Sequence, residues 1–249
     1  MDLMVLYADD RLAVVNKPAG LMVHDSALAR GETDFAADRL RAQFDRPIFL
    51  VHRLDRATSG CLLLAFDRET ASQLGKMMMS REAERVACEK ADFEKTEFEK
   101  AAFEKDYLAV CRGWPEEHFT IDHPLDGGPG KPVKKSARTR FTRLATTELE
   151  LPSTGFPTSR YALLRAQPES GRFRQIRRHL KHVSHHLIGD SSHGDGRHNR
   201  TFRMLGVHRM LLHAQRLAFV HPFSGDQLVA VAPVDAEFER ALQLFTLPA

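Results

Sequence analysis

Short apolar runs separated by polar turns recur along this chain and constrain its fold more than any other feature. The first two, at 3–7 and 12–15, flank a polar segment and predict two strands joined by a tight turn. Further strands are predicted at 49–51, 61–66, 107–110, 161–164, 216–220 and 227–231. Polar starts followed by helical spacing predict helices at 33–44 and 67–79. The sequence therefore predicts an α+β fold with many strands and few helices.

The chain is long enough for one generous domain or two small ones, with 249 residues, of which 43% are hydrophobic and 28% charged. It has no apolar run long enough to span a membrane and no signal-peptide pattern at its start, so we expect a cytoplasmic protein without a membrane partner. Three cysteines, Cys61, Cys88 and Cys111, form no close pair. Buried reduced thiols are expected rather than disulfides or a thiolate zinc site.

Positive charge is concentrated between residues 160 and 216, although the net charge of the chain is only +3. That stretch holds twelve Arg or Lys residues against Glu169, Asp190 and Asp195, a local charge of +9, together with eight of the thirteen histidines. A polyanionic partner is the natural inference. A solvated basic face without a partner is the alternative.

A five-residue repeat occupies the segment before residue 106. Phe-Glu-Lys closes each of three successive units, at 93–95, 98–100 and 103–105. A step of five residues places these phenylalanines on no single face of a helix or a strand. We interpret 85–104 as a tandem-expanded insertion that forms a projecting helix or loop.

The segment 52–60, His-Arg-Leu-Asp-Arg-Ala-Thr-Ser-Gly, places Asp55 in a loop between two predicted strands. Loops held by strands commonly carry catalytic groups. By its chemistry alone, however, an aspartate beside Arg53 and Arg56 is more often a structural ion pair.

This segment resembles the signature of the RluA family of RNA pseudouridine synthases, and other blocks are similar to that family in order and spacing. These blocks are 15–24 (Val-Asn-Lys-Pro-Ala-Gly-Leu-Met-Val-His), 105–109 (Lys-Asp-Tyr-Leu-Ala), 170–179 (Ser-Gly-Arg-Phe-Arg-Gln-Ile-Arg-Arg-His), 212–214 and 232–233. Where many members have Thr-His, this chain has Phe173-Arg174, which bears on RNA contacts. The blocks 179–186 and 189–195 look most like the TruC branch, which acts on uridine 65 of tRNA.

The resemblance implies a single catalytic domain over 1–249 without an S4 module. It also implies the pseudouridine synthase fold, a mainly antiparallel mixed sheet flanked by helices and loops. The activity implied is isomerisation of uridine to pseudouridine in tRNA, without cofactor, metal or obligatory protein partner. Asp55 would be the catalytic carboxylate, acting as a nucleophile or as a base on a glycal-like route.

The same resemblance assigns further residues. Arg177 would keep Asp55 ionised as its ion-pair partner, and Tyr107 would stack on the flipped base. Arg53 would fill the gap left by that base, while Arg56 and Lys17 would contact phosphates. Taken alone, Tyr107 is more often a core residue in a strand.

Helical geometry gives independent support for Arg177. On a helix that starts at Phe173, the apolar stripe comprises Phe173, Ile176, Leu180, Val183 and Leu187. Arg177 borders this stripe and is expected to point inward, unless it only extends along the helix edge. Residues of the opposite side, with Arg172 beside them, are expected to face RNA: Arg174, Arg178, Lys181 and His185.

Two other classes of function stay open. The recurrent histidines His179, His182, His185, His186 and His193, with Asp190, could imitate the metal site of a hydrolase, although RNA contact or packing is the interpretation we favour. A non-catalytic RNA-binding protein that kept the fold, or an enzyme of the same family acting on ribosomal RNA, also fits the motifs.

Overall fold

The computed structural model describes residues 1–25, 31–88, 103–152 and 155–245. The chain divides into two compact units, unit 1 (Met1–Lys105 with Ala214–Pro233) and unit 2 (Asp106–His213 with Val234–Ala249). The expectation of a single catalytic domain stays a prediction.

The described residues of unit 1 form a sheet and two helices. Its elements are β1 (Met4–Ala8), β2 (Leu12–Lys17), α1 (Ala36–Phe44), β3 (Phe49–Leu50), β4 (Ser59–Ala65), α2 (Arg68–Cys88) and β12 (Gln227–Val231). The order is β1-β2-β4-β11, where β11 spans Leu212–Val220, and β12 and β3 pair with β11 and β4. β1 runs antiparallel to β2, and β12 to β11, and β2 and β3 both run antiparallel to β4. This pairing supports both strands that flank the loop of Asp55.

Unit 2 contains a second run of strands in the order β5-β10-β9-β6. Its elements are β5 (Phe103–Arg112), β6 (His118–Asp122), β7 (Leu125–Asp126), β8 (Lys134–Lys135), β9 (Arg138–Leu149), β10 (Ser159–Pro168), α3 (Gln175–His182), α4 (Gly196–Met204) and α5 (Ala236–Leu242). β5, β10 and β9 pair antiparallel, and β7 forms a separate hairpin with β8. The predicted α+β class is confirmed, and every predicted strand is present, the one at 227–231 with the predicted ends and the others with somewhat different ends.

Each unit has its own apolar core, because alternate residues of its strands point to the same side. Leu63 and Phe219 are among the buried residues of unit 1, whereas Leu163 and Phe238 belong to the core of unit 2. Cys61 and Cys111 are buried free thiols, as predicted, and burial raises their pKa values to about 11 and about 12. No helix in the described ranges is long and apolar enough to cross a bilayer.

The end of the repeat is part of the fold rather than of a projecting insertion. Phe103 is 1% exposed and stacks on Phe219 with the ring centroids 5.2 Å apart. Glu104 accepts a hydrogen bond from Arg216 at 2.8 Å. The predicted boundary at 104 is therefore wrong, because residues 103 and 104 belong to β5. The rest of the predicted insertion lies in α2 (85–88) or, for 89–102, outside the described residues.

Candidate active site

Asp55 lies in the loop between β3 and β4, and backbone hydrogen bonds hold this loop at Asp55 and at the residue after it. The Thr58 N–H donates to the Asp55 carbonyl at 3.0 Å, closing a turn, and the Gly20 N–H donates to the Arg56 carbonyl at 2.8 Å. Leu54 is buried, with 5% of its surface exposed, while Asp55 is half-buried. The loop is thus rigid, yet its carboxylate stays partly accessible. This is the placement expected of a catalytic group.

Lys17 supports this loop from within the protein. Its side chain is fully buried, and its ammonium group donates to the carbonyls of Pro18 at 2.7 Å, Leu21 at 2.8 Å and Arg56 at 3.3 Å. An ammonium group has three protons to donate. The prediction that Lys17 contacts RNA phosphates is therefore wrong. Lys17 instead ties the turn at Pro18 to the loop of Asp55.

The two arginines that flank Asp55 are exposed. Arg56 donates from Nε to the Gly20 carbonyl at 3.1 Å and forms an ion pair with Glu32 at 2.7 Å. Like Lys17, Arg56 therefore uses part of its side chain to hold the loop of Asp55 against the turn at Pro18. The predicted role of Arg53 in the gap left by the flipped base remains a prediction.

His52 is a supporting residue that sequence reasoning missed. Its Nε2 accepts a hydrogen bond from the Leu63 N–H of β4 at 3.0 Å. Burial and the charge of Lys105 lower the pKa of His52 to about 4, although a hydrogen bond to the backbone of Arg53 raises it in part. His52 is therefore neutral at pH 7 and can act as an acceptor. It fixes the start of the Asp55 loop against β4.

Gly60 closes the loop where β4 begins. Its φ is +111°, and a Cβ atom built there would lie 2.2 Å from the carbonyl oxygen of Ala214. No other residue fits, because both the left-handed backbone and the close approach require the absence of a side chain. The motif therefore requires glycine at position 60 for steric reasons.

The helix that carries Arg177 is shorter than the helical wheel assumed. α3 spans Gln175–His182, so Phe173, Val183 and Leu187 lie outside it, and Val183 is exposed. Ile176 and Leu180 are buried as predicted. Arg174 precedes the helix with φ +52° and ψ +37°, a left-handed conformation that is uncommon outside glycine.

Arg177 points inward, as predicted, with 5% of its surface exposed. Its Nε and Nη2 donate to the two oxygens of Asp190 at 2.7 and 2.8 Å, a bidentate ion pair inside unit 2. Oδ1 of Asp190 also accepts from the N–H groups of Ser192 and His193. Burial alone would raise the pKa of Asp190, but the hydrogen bonds and charge of Arg177 hold it below its usual value.

Sequence reasoning did not identify Asp190 as the partner of Arg177, and treated it only as a possible metal ligand. The expected ion pair between Arg177 and Asp55 stays a prediction, since Asp55 belongs to unit 1 and Arg177 to unit 2. The bidentate geometry uses Nε and Nη2 and fixes the plane of the guanidinium.

Gln175 organises the turn before α3 and was also missed. Its Oε1 accepts from the hydroxyl of Ser170 at 2.7 Å and from the Arg172 N–H at 3.0 Å. Its Nε2 donates to the Arg138 carbonyl and to the Thr139 hydroxyl. A buried amide uses its donors and acceptors fully in this way. Gln175 therefore fixes the loop of the motif against β9.

Two of the arginines expected to face RNA are bonded to protein groups. Arg178 donates to the carboxylate of Asp126 at 2.7 Å and to its carbonyl at 3.0 Å, and Arg172 donates to the Ser136 carbonyl at 3.0 Å. Lys181 is exposed. Arg174 lies with its guanidinium carbon 4.8 Å from the ring centroid of Phe173. RNA contacts of these four residues stay predictions.

Tyr107 lies near the start of β5, half-buried and opposite Ala166 of β10. The neighbouring Asp106 accepts a hydrogen bond from Gln167 at 2.6 Å. The strand prediction is thus confirmed, and the stacking role stays a prediction.

The histidines make protein contacts. His179 bonds to the Thr139 hydroxyl and the His123 carbonyl, His185 to the Arg112 carbonyl and His186 to the His193 carbonyl. His182 stacks on His123 with ring centroids 3.9 Å apart. Among the residues that the structure describes, no three His, Cys, Asp or Glu side chains are grouped to hold a metal ion.

Comparison with known proteins adds to this geometry. Residues 11–182 match the family model described as RNA pseudouridylate synthase. The tRNA pseudouridine synthase C of Vibrio parahaemolyticus is 39% identical over 99% of this chain and 95% of its own length. That of Salmonella typhimurium is 37% identical over 97% of this chain and 89% of its own length.

Two solved human structures share the fold. Human RNA pseudouridylate synthase domain containing 4 superposes with a TM-score of 0.70 at 22% identity, covering 99% of this chain and 95% of that one. Domain containing 1 gives a TM-score of 0.66, also at 22% identity, with coverage of 100% and 97%. The predicted fold is confirmed by these neighbours.

Proposed function

Because the chain belongs to the RNA pseudouridylate synthase family, we propose that it isomerises uridine to pseudouridine in tRNA, with Asp55 as the catalytic carboxylate. The observation that carries this proposal is the loop of Asp55, which lies inside the matched range 11–182 and is held by backbone hydrogen bonds at Asp55 and Arg56. Relatives that carry the name tRNA pseudouridine synthase C support tRNA as the substrate.

The reaction breaks the bond between N1 and C1′ of uridine, turns the uracil in place and joins C5 to the same sugar carbon. A carboxylate supplies electrons by attacking the sugar or by taking its proton on a glycal-like route, and neither route needs a cofactor. The half-buried position of Asp55 lets the carboxylate reach a nucleoside while the clamped loop limits its motion.

We assign Arg177 as the cation that keeps Asp55 ionised. Asp190 fixes the plane of its guanidinium through Nε and Nη2. An arginine suits this role because it does not lose its proton in a protein. Tyr107 would stack on the uracil base after the base leaves the RNA helix, because chemistry on a paired base requires its extrusion. Arg53 would occupy the resulting gap.

The finer substrate assignment is uridine 65 of tRNA, and its support is the resemblance of 179–186 and 189–195 to the TruC branch. A cytoplasmic location follows from action on tRNA, and we propose no obligatory protein partner. Mapping pseudouridines in total tRNA and ribosomal RNA from cells with and without this protein tests the substrate. Loss of the mark at position 65 is expected, and loss of a ribosomal mark instead would refute the tRNA assignment.

Replacing Asp55 tests the activity itself. Asp55→Asn keeps the shape of the side chain but removes the charge, so pseudouridine formation should fall by at least about a thousandfold. Binding of tRNA should change little. Asp10→Asn is the matched control, because Asp10 is an exposed aspartate of the β1–β2 turn in the same unit.

Turnover is measured as tritium release from tRNA labelled at C5 of uridine. Normal turnover by Asp55→Asn would rule out the catalytic assignment. Tight tRNA binding by a wild-type protein without turnover on any RNA would favour a non-catalytic RNA-binding protein.

A further inference from the structure

The hairpin of β7 and β8 carries an exposed basic surface outside the basic stretch 160–216. Residues 129–136 are all exposed, among them Lys131, Lys134 and Lys135, and the segment 127–136 contains no acidic residue. We propose that this hairpin, residues 125–136, is an arm that grips the phosphate backbone of the RNA substrate through these lysines. The inference rests on the proposed function and adds a binding element to it.

The base of the hairpin is fixed to α3 by an ion pair. Asp126 accepts from Nη2 of Arg178 at 2.7 Å, and its carbonyl accepts from Nη1 at 3.0 Å. Because Arg178 bonds to both the side chain and the backbone of Asp126, it sets the direction in which the hairpin leaves unit 2. The hydrogen bonds from the Gly128 N–H and from Arg178, together with the charge of Arg178, lower the pKa of Asp126.

The turn of the hairpin is closed by its own backbone. Gly127 donates to the Lys131 carbonyl at 3.0 Å, and Lys131 donates to the Gly128 carbonyl at 2.9 Å. Gly128 has φ +92°, and a Cβ atom there would lie 2.7 Å from the ring of Phe173. The tip is therefore a defined turn that lies against Phe173, two residues before α3 begins. Such a turn presents its lysines with less loss of entropy on binding than a free loop would.

The end of the hairpin, and His123 two residues before its start, are also bonded to residues of the motif 170–179. Nε of Arg172 donates to the Ser136 carbonyl at 3.0 Å, and Nε2 of His179 bonds to the His123 carbonyl at 3.1 Å. Arg172 and Arg178, which the sequence assigned to RNA, thus act as positioning residues for the hairpin. In this proposal the contacts with RNA phosphates are made by the lysines of the hairpin.

The charge balance of the hairpin favours a polyanion. The one acidic residue of the segment 125–136, Asp126, is bonded to Arg178, whereas its three lysines are exposed. Lysine acts as a point charge for phosphate without a fixed geometry. An arm of this kind binds the RNA backbone irrespective of sequence and positions the substrate.

Two variants with opposite effects on net charge test the proposal. Lys134→Ala/Lys135→Ala should weaken tRNA binding about tenfold, and should reduce the slope of log affinity against log salt by roughly 0.7–0.9 for each lost contact. Asp126→Ala adds one positive charge to the protein but releases Arg178, so the proposal predicts weaker binding here as well. The control is Arg68→Ala/Lys76→Ala, which removes two exposed charges from α2.

Binding is measured by fluorescence anisotropy with a labelled tRNA transcript, and turnover by pseudouridine formation. Losses by both hairpin variants, with kcat nearly unchanged at saturating tRNA, support the inference. Equal affinities of the lysine variant and its control would overturn it. Tighter binding by Asp126→Ala would also overturn it, because bulk charge would then decide affinity.

Failure of the proposed function is distinguishable from these outcomes. A wild-type protein that forms no pseudouridine in tRNA contradicts the activity. A wild-type protein that turns over tRNA while the lysine variant keeps its KM contradicts the hairpin alone. Circular dichroism of Asp126→Ala checks its fold, and the exposed lysine variant keeps the test valid if Asp126→Ala unfolds.

Discussion

At the scale of single residues, the two charged groups assigned to catalysis are held in place by different kinds of contact. Asp55 is held by the backbone of its own loop and by Lys17 through the Arg56 carbonyl. Arg177 is held by a second carboxylate, Asp190, whose side chain is fully buried. A buried ion pair of this geometry is costly to break, because the remaining charge is left without compensation. Its value here is the fixed orientation of the guanidinium.

Asp190→Ala should therefore lower the free energy of unfolding by about 3–5 kcal/mol, measured by urea denaturation at pH 7. Asp38→Ala, which removes the exposed ion pair with Arg41, should cost far less. Because the pKa of Asp190 is held below its usual value, its stabilising effect is complete above about pH 4 and is lost as the pH falls through the folded pKa. Equal losses by the two variants would contradict this account.

His52 gives a second prediction, in a different pH range. Its pKa is about 4 in the folded protein against 6.5 in an unfolded chain. The unfolded state thus binds more protons between these values, and stability falls as the pH drops from 6.5 towards 4. The loss attributable to His52 is on the order of 3 kcal/mol.

His52→Gln keeps an acceptor for the Leu63 N–H but cannot titrate. The difference in unfolding free energy between wild type and this variant, measured from pH 7 to pH 4, should therefore shrink or change sign as the pH falls. A difference that is independent of pH would contradict the neutral buried His52.

At the scale of elements, the start of β4 and the short helix α3 place the candidate residues. β4 is buried along its whole length and pairs with β2 and β3, so the loop before it is fixed at the end where β4 begins. α3 is only eight residues long and depends on Gln175 and on the ion pair of Arg177 more than on its own helix propensity. Elements this short are positioned by side-chain hydrogen bonds to neighbouring strands.

Gly60→Ala tests the rigid end of β4. The Cβ atom of an alanine at position 60 would lie 2.2 Å from the backbone of Ala214, and the alanine would have to adopt a positive φ. We therefore expect the free energy of unfolding to fall by at least about 2 kcal/mol. Gly75→Ala, in α2 with nothing within 4 Å of the added Cβ, should instead stabilise the protein by up to about 1 kcal/mol. Thermal unfolding of both variants checks the contrast, and tolerance of alanine at Gly60 would refute the close approach.

At the scale of the whole molecule, affinity for tRNA should depend strongly on salt. The hairpin lysines, together with the excess of positive charge between residues 160 and 216, imply several phosphate contacts, and each releases counterions. Binding measured from 50 to 200 mM salt should weaken by at least about tenfold. Circular dichroism at each salt concentration serves as the control for folding. A flat response would exclude the basic surfaces as the docking face.

The sequence alone determined the features that depend on neighbours along the chain. Alternating apolar runs sufficed for the strands and the α+β class, because strand pattern is local. The continuous block 52–60 placed Asp55 in a loop between strands, and the position of Arg177 beside Ile176 and Leu180 indicated that it points inward. The helical wheel extended too far, since a periodic pattern does not show where hydrogen bonds from other segments end a helix.

The partners of these residues were decided only by the tertiary structure. Lys17 was expected at a phosphate but is buried under the loop of Asp55, and Arg177 forms a bidentate ion pair with Asp190, a partner that the sequence did not indicate. Arg178 was expected to face RNA but holds Asp126, 52 positions away in the chain. The physical reason is that a charged side chain takes the partner nearest in space with the best geometry. That distance is set by how strands and loops pack, which no local pattern encodes.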